Sequence, residues 1–414
     1  MKRIAVVGSG ISGMAAAHLL APHAQVTLYE RNAVAGGHSR TLTVDYDGKS
    51  IPVDTGFIVF NHATYPNLLG LFAQLGVATE KSDMSFSFAT DGGRFEWGAQ
   101  NLNAVFATRR NLLSPKFYRM IADVARFFRA SEAVVEAHPQ LTLAGLVQHM
   151  KLGRGFRDNF LLPMGAAIWS SPAEQMLEFP AASFVRFFRN HGLLSFSGQH
   201  QWYTVTGGSQ EYVKKILGSI QEIRLASPVV RIESLGTQHH VITQDGDAQA
   251  YDEVVIAAHA DEALAMLDAP TEAERAVLGA FRYQKNMAYL HRDTSIMPRR
   301  SSCWASWNYQ ADGKEGVAVT YWMNRLQNID ERYPLFVTLN PAQPIAQDKL
   351  FNAHAFTHPV FTNEAVAAQA RIPEIQGKRG LWFCGAYQRN GFHEDGLWSA
   401  VRVAQMMGVG VPWL

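Results

Sequence analysis

Arg3-Ile4-Ala5-Val6-Val7-Gly8-Ser9-Gly10-Ile11-Ser12-Gly13 stands at the head of the chain and decides how the rest is read. An apolar strand runs into glycines spaced G-x-G-x-x-G, and a helical pattern continues through Ala15, Ala16, Ala17 and Leu20. Gly8 permits a tight turn, Gly10 lets backbone approach a ligand, and Gly13 lets helix and strand pack closely. The helix start at Ile11 and Ser12 offers unpaired N–H groups and a positive dipole end to a pyrophosphate. A second strand, Val26-Thr27-Leu28-Tyr29, leads to Glu30, the spacing at which an acid holds an adenosine ribose through its hydroxyls. A carboxylate there disfavours a 2′-phosphate, so FAD or NAD fits better than NADP.

Composition agrees with an enzyme of this kind. A chain of 414 residues exceeds one core, and its 47% hydrophobic and 18% charged content is globular. A net charge of +1 gives no electrostatic footprint for nucleic acid. Cys303 and Cys384 lie far apart without a CxxC, which suits reduced thiols and a cytoplasmic location. Lys2 and Arg3 before an alanine-rich stretch imitate a signal peptide, but glycines break the apolar run. No stretch reaches the ~18 apolar residues of a spanning helix.

The next block, Arg31-Asn32-Ala33-Val34-Ala35-Gly36-Gly37-His38-Ser39-Arg40-Thr41, narrows the cofactor. It resembles the Gly-Gly-Arg-x-x-[Ser/Thr] extension of the flavin-containing amine oxidase superfamily, which includes monoamine oxidases, protoporphyrinogen oxidases and phytoene desaturases. The resemblance implies non-covalent FAD, with Arg31, Gly36, Gly37, His38, Ser39 and Arg40 along it and Arg40 lending charge to the phosphates. His38 departs from the family, which usually has arginine there. Asp54-Thr55-Gly56 resembles the family's acid-x-glycine turn, bringing Thr55 and Gly56 toward the flavin side.

The remaining cofactor segments of that superfamily are traceable. Val205-Thr206-Gly207-Gly208-Ser209 precedes a helical stretch, and Pro228 to Ile232 reads as a strand whose main chain at Val230 is positioned for the adenine edge. His240–Thr243 and Asp252–Ala257 read as a meander returning to the main sheet. Leu381-Trp382-Phe383-Cys384-Gly385 reads as a buried strand, then Gly391-Phe392-His393-Glu394-Asp395-Gly396 and a helix from Leu397 to Met407. This resembles the family's closing motif, which implies Gly385 and Ala386 beside the cofactor and the N–H groups of Gly396 and Leu397 at the ring. Cys384 is not expected to hold the flavin covalently. The expected fold is α/β: a Rossmann-like FAD-binding domain of the amine oxidase type (1–80, 202–265 and 375–414) with an inserted α+β substrate domain. The substrate domain covers 81–201, mainly helical, and 266–374.

Substrate choice belongs to that insertion. Phe117, Met120, Ile121, Val124 and Phe128 recur at helical spacing with Arg119, Arg126 and Arg129 on other faces, and Phe184 to Arg189 repeats the aromatic and basic mixture. Core packing explains both stretches; an amphipathic rim resting on a membrane from the cytoplasmic side is the sharper alternative. Trp307, Tyr309, Tyr321 and Trp398 are the expected pocket lining. Together with Leu290-His291-Arg292-Asp293 and Phe356-Thr357-His358-Pro359, these segments resemble a bacterial subgroup of predicted FAD/NAD-binding proteins whose relatives are associated with cyclopropane-type fatty acyl synthases. That implies an acyl-chain substrate and a lipid-modifying enzyme as partner.

Lys285, His291, His358 and His393 are the candidate bases, with His393 and Lys285 foremost: Lys285 is loosely where amine oxidases place a lysine, and His393 lies in the closing motif. No HExxH, Walker A loop, GxSxG elbow or Cys/His set competes, so no metal is expected. The expected reaction removes hydride from a hydrophobic, lipid-derived substrate. Two readings stand beside it: an amine oxidase with an aromatic cage from Tyr387 and Trp398, and a non-catalytic flavoprotein partner of a lipid-modifying enzyme.

Overall fold

Strand β1 (Arg3–Val7) lies between β2 (Gln25–Tyr29) and the strand Glu253–Ile256, and strands Glu222–Arg224 and Leu381–Phe383 complete a five-stranded sheet. All its pairings are parallel. Strands covered on both faces must be apolar throughout rather than alternating, and Ile4, Ala5, Val6 and Val7 are all buried. The computed structural model describes residues 1–195, 198–311 and 318–414.

Helix α1 (Ile11–Leu20) is buried on almost every side, because the sheet covers one flank and the closing helix, His393–Met406, the other. Small residues make this approach possible. A Cβ on Gly13 would stand 1.8 Å from the carbonyl oxygen of Gly8, and one on Gly396 would meet Ser12 Oγ at 2.8 Å. The closing helix therefore begins at His393, four residues before the Leu397 start that the sequence suggests.

A three-stranded antiparallel meander (Val229–Leu235, Gln238–Thr243, Ala248–Tyr251) flanks this half. The other half is a seven-stranded sheet, ordered Leu350–Val360, Arg282–His291, Phe336–Leu339, Ala318–Trp322, Trp307–Ala311, Phe86–Thr90, Phe95–Gly98. Its last two strands come from the stretch expected to be mainly helical, and Phe86–Thr90 runs parallel to Trp307–Ala311. A smaller sheet joins Val59–Asn61 and Thr79–Ser82 through Trp202–Val205.

The long helix Pro115–Ala137 starts where Ser114 accepts the N–H of Phe117 and Pro115 takes the first turn. Its Phe117, Met120 and Val124 are buried, as are Phe184, Val185, Phe187 and Phe188 of the helix Ala181–Asn190. The phenylalanines of both stretches are thus in the core or packed against it, whereas Tyr118 is exposed. Of their basic neighbours, Arg126 pairs with Asp123 and Arg189 with Glu132, while Arg119, Arg129 and Arg186 are exposed. Among the described residues, no helix is long and apolar enough to cross a membrane.

Candidate functional site

A cavity of about 1620 Å³ runs from the carboxyl edge of the parallel sheet to the seven-stranded sheet. Gly8, Ser9, Gly10 and Glu30 form one end. Gly8 has φ +102°, and a Cβ there would sit 2.8 Å from the carbonyl oxygen of Ala257, so only glycine makes this turn without strain. Gly10 caps α1 without any side-chain hydrogen bond, and a Cβ on it would meet no protein atom within 4 Å. Space beside a helix N-terminus that the protein itself leaves open is the cradle an anion takes.

Glu30 is buried at the same end. Its Oε2 accepts from Ser9 N–H at 3.1 Å and Ser9 Oγ at 2.6 Å, and its Oε1 from Asn32 N–H at 2.8 Å and Nδ2 at 2.7 Å. The carboxylate is thus tied to the glycine turn it serves. Ile11, Ser12 and Gly37 also face the cavity; Gly13 and Gly36 do not, and act in packing and turning. Arg31 is exposed on the rim and pairs with Glu262. Across the cavity, the pairing of the meander shifts between Val229 and Arg231, and Val230, at the shift, lines the cavity.

Arg40 stands in the cavity wall, its Nη1 donating to Thr55 Oγ1 at 3.0 Å and its Nη2 to Asn352 Oδ1 at 3.3 Å. No carboxylate among the described residues pairs with it. Asp54, beside Thr55, is buried under hydrogen bonds from Thr41, Ser209 and Gln327, and burial pushes its carboxyl up to about 6. It fixes this turn from behind. Gly56 is held against His38, whose carbonyl oxygen a Cβ would approach to 2.3 Å.

His393 lines the middle of the cavity, stacked on Phe57 with centroids 3.8 Å apart. Its Nε2 is 2.9 Å from Tyr212 Oη, which donates to Ser39 Oγ at 2.7 Å. Burial holds His393 well below an ordinary imidazole, at about 3, so the ring is neutral and a weak proton acceptor. Gly385 and Ala386 line the cavity nearby, and Gly385 N–H donates to Ser399 Oγ at 2.8 Å.

Several expected residues lie elsewhere. Gly396 donates its N–H to Phe392 inside the closing helix, and neither it nor Leu397 lines the cavity, which the helix reaches at its first residue, His393. Trp398 also lies off the cavity, its ring face covered by the Arg389 guanidinium at 4.8 Å. Tyr309 stacks on Phe88 in the core, further along the strand than the cavity extends. Trp307 and Tyr321 do line it, opposite each other in register with rings 5.0 Å apart.

Lys285 is exposed on its strand, and because side chains alternate, the buried residue is its neighbour Asn286. Asn286 Nδ2 donates to Ser170 O at 3.0 Å and His358 Nδ1 at 2.9 Å, while Asn340 Nδ2 donates to its Oδ1 at 2.7 Å. His358 Nδ1 must therefore accept, so the ring carries its proton on Nε2 at the cavity wall. Burial pulls His358 down to about 4. His38 adjoins it at 5.2 Å and has a buried Nε2 without a partner. His291 is remote from the cavity, bonded to Thr338 Oγ1 at 2.7 Å. Asn286 went unnoticed in the sequence because only strand parity identifies it. Cys384 is fully buried with its thiol pushed up to about 12, and is inert. No group of three or more His, Cys, Asp or Glu able to hold a metal occurs among the described residues.

The open cradle at Gly10, the tethered carboxylate of Glu30 and the strand irregularity at Val230 together fit a dinucleotide, and Arg40 fits its charge. The sequence model described as flavin containing amine oxidoreductase matches residues 11–331. Solved structures with this fold include a CLA-producing fatty acid isomerase from P. acnes, 14% identical, with a TM-score of 0.69 over 99% of each chain. Cyclohexylamine oxidase from Brevibacterium oxydans IH-35A is 16% identical, with a TM-score of 0.68 over 98% of this chain and 99% of that one. A UDP-galactopyranose mutase in its reduced form is 14% identical, with a TM-score of 0.69 over 99% of this chain and 94% of that one. Among curated protein sequences none matches the chain.

Proposed function

The chain belongs to the flavin-containing amine oxidoreductase family and is an FAD-dependent oxidoreductase, and from that premise we propose that it removes hydride from a hydrophobic, lipid-derived substrate. FAD, when bound, supplies the two-electron acceptor. In this reading Gly8, Gly10 and the α1 N-terminus take the pyrophosphate, Arg40 shares its charge, Glu30 takes the ribose and Val230 the adenine edge. His38, Ser39, Thr55, Gly56, Gly385 and Ala386 flank the rest of the cofactor. Neutral His358, with its proton fixed on Nε2, offers a hydrogen bond to a polar group of the substrate. His393 orients through Tyr212 and Ser39 rather than serving as a strong base.

The observation that carries the substrate class is the cavity itself. Ligand sites ordinarily enclose about 300 to 1,000 Å³. About 1620 Å³ leaves room beyond a cofactor, and the walls there are Phe86, Met164, Ile168, Trp307, Tyr321 and Leu339. A non-catalytic flavoprotein has no use for such a space. The amine reading lacks its cage, since Trp398 is off the cavity and covered by Arg389.

Anaerobic titration of the holoprotein tests the reading. Unsaturated or methyl-branched fatty acyl compounds are expected to bleach the oxidised flavin band, and simple monoamines to leave it unchanged. Rapid bleaching by benzylic or aliphatic amines with indifference to acyl compounds would overturn it in favour of the amine oxidase reading.

A further inference from the structure

A second cavity, of about 600 Å³, lies away from the cofactor site and is walled by Arg94, Arg109, Arg110, Arg299 and Arg300. Among the described residues only Arg300 meets a carboxylate, that of Glu96 at 2.8 Å. Glu96 is fully buried and also accepts the backbone N–H groups of Arg299 and Arg300, so it anchors this corner from within. The other contacts among the described residues are to neutral groups: Arg109 donates to Phe106 O and Asn103 Oδ1, Arg110 to Arg94 O and Arg299 to Gly92 O. With Arg300 paired to Glu96, four guanidinium groups around one hollow remain without a carboxylate partner among the described residues, and an anion in the hollow relieves their mutual repulsion.

Apolar side chains adjoin the hollow. Arg109 to Leu113 form one 3-10 turn, in which residues three apart eclipse, so Arg109 aligns with Leu112 and Arg110 with Leu113. Leu113 is 90% exposed and Leu102, at the start of the preceding short helix, 77%. Leu112 and Tyr118 are also exposed, so the stretch 102–118 holds four of the eleven exposed large apolar residues described. Exposed leucines beside an arginine hollow match a surface that is anionic outside and apolar beneath.

We propose that this face docks on an anionic phospholipid surface, with a headgroup phosphate in the arginine hollow and Leu112 and Leu113 in the headgroup and acyl boundary. Nucleic acid would meet the charge but not the leucines. The large cavity reaches the surface close by, at Ala99, which is exposed and lines it two residues before Asn101 caps the Leu102 helix. Docking here brings that opening to the bilayer. Delivery of an acyl chain through it rests on the substrate reading above, whereas docking does not.

Sedimentation of the holoprotein with vesicles tests docking without reference to turnover. Binding to phosphatidylglycerol vesicles, absent with phosphatidylcholine alone and weakened by salt, is expected. Each arginine near such a surface contributes about fivefold to partitioning, so Arg109→Ala with Arg110→Ala should weaken it about 25-fold. Leu112→Ser with Leu113→Ser should weaken it about tenfold. Retained flavin absorbance and unfolding temperature show that both variants fold. Failure of the wild type to bind phosphatidylglycerol vesicles, equal binding to both vesicle types, or undiminished binding by either variant would overturn the proposal.

Discussion

Glu394 Oε1 accepts two hydrogen bonds from Asn67, one from its backbone N–H at 3.0 Å and one from its side-chain Nδ2 at 2.7 Å, while Oε2 accepts from Leu68 N–H at 3.0 Å. A carboxylate at the start of the closing helix thus caps a different helix, Pro66–Leu75, whose N-cap residue Tyr65 supplies no side-chain bond. Glu394→Ala would strand buried N–H groups, and the expected loss of stability is about 2 to 4 kcal/mol. Denaturant unfolding with flavin absorbance as control measures it; a midpoint like wild type would contradict the capping role.

Gly10→Val places a branched side chain in the open cradle, where its Cβ meets no protein atom within 4 Å. Colourless but folded protein is expected. A variant that keeps its yellow band would remove the pyrophosphate from this turn.

Glu30→Ala should weaken FAD binding by about 1.5 to 3 kcal/mol, the worth of charge-assisted hydrogen bonds. Equilibrium binding of FAD to the apoprotein gives the number, and an unchanged affinity would take the ribose elsewhere.

His393→Ala is expected to retain FAD and slow flavin reduction by about tenfold, because a ring held neutral orients more than it abstracts. A loss of about 100-fold would instead make it the proton acceptor. Stopped-flow reduction under anaerobic conditions separates the two.

His191, His291 and His358 are held at about 4 and His393 at about 3, with burial the cause in each. Unfolding returns them to about 6.5, so between those values the unfolded chain binds more protons and stability falls as pH drops. Asp54 and Asp395, raised to about 6 by burial, act oppositely, because the folded state binds their protons first and stability falls as pH rises through that range. Four imidazoles outweigh two carboxyls. Net loss of stability between about pH 6.5 and 4 is expected, with a shallower slope in His358→Asn; a flat profile of unfolding free energy against pH would contradict it.

What was legible in the sequence was local. β1, the glycine turn, α1 and Glu30 are one uninterrupted stretch whose spacing carries its own geometry, and the strand ending at Gly385 is marked by its apolar run. Misplaced features depended on partners far along the chain. Gly396 looks like a turn residue until Ser12 and Ile11 are seen against it, and then it is a helix-packing residue. Lys285 and Asn286 differ by one step of strand parity, which sequence fixes only when the buried face is known. Tyr309 shares its face with Trp307 by alternation, yet the cavity ends before reaching it.

The parallel sheet has a further consequence during synthesis. Strand β1 pairs with Glu253–Ile256, which pairs in turn with Leu381–Phe383, about 370 residues beyond β1. At ~5 to 20 residues per second the ribosome needs roughly 20 to 80 seconds to supply that last strand. Until Glu253–Ile256 is made β1 has one edge unpaired; afterwards the open edge is that of Glu253–Ile256, and α1 still lacks the closing helix that covers it. The nucleotide cradle is translated well before the strand and helix that finish it, so a growing chain exposes apolar surface there before it can hold its cofactor.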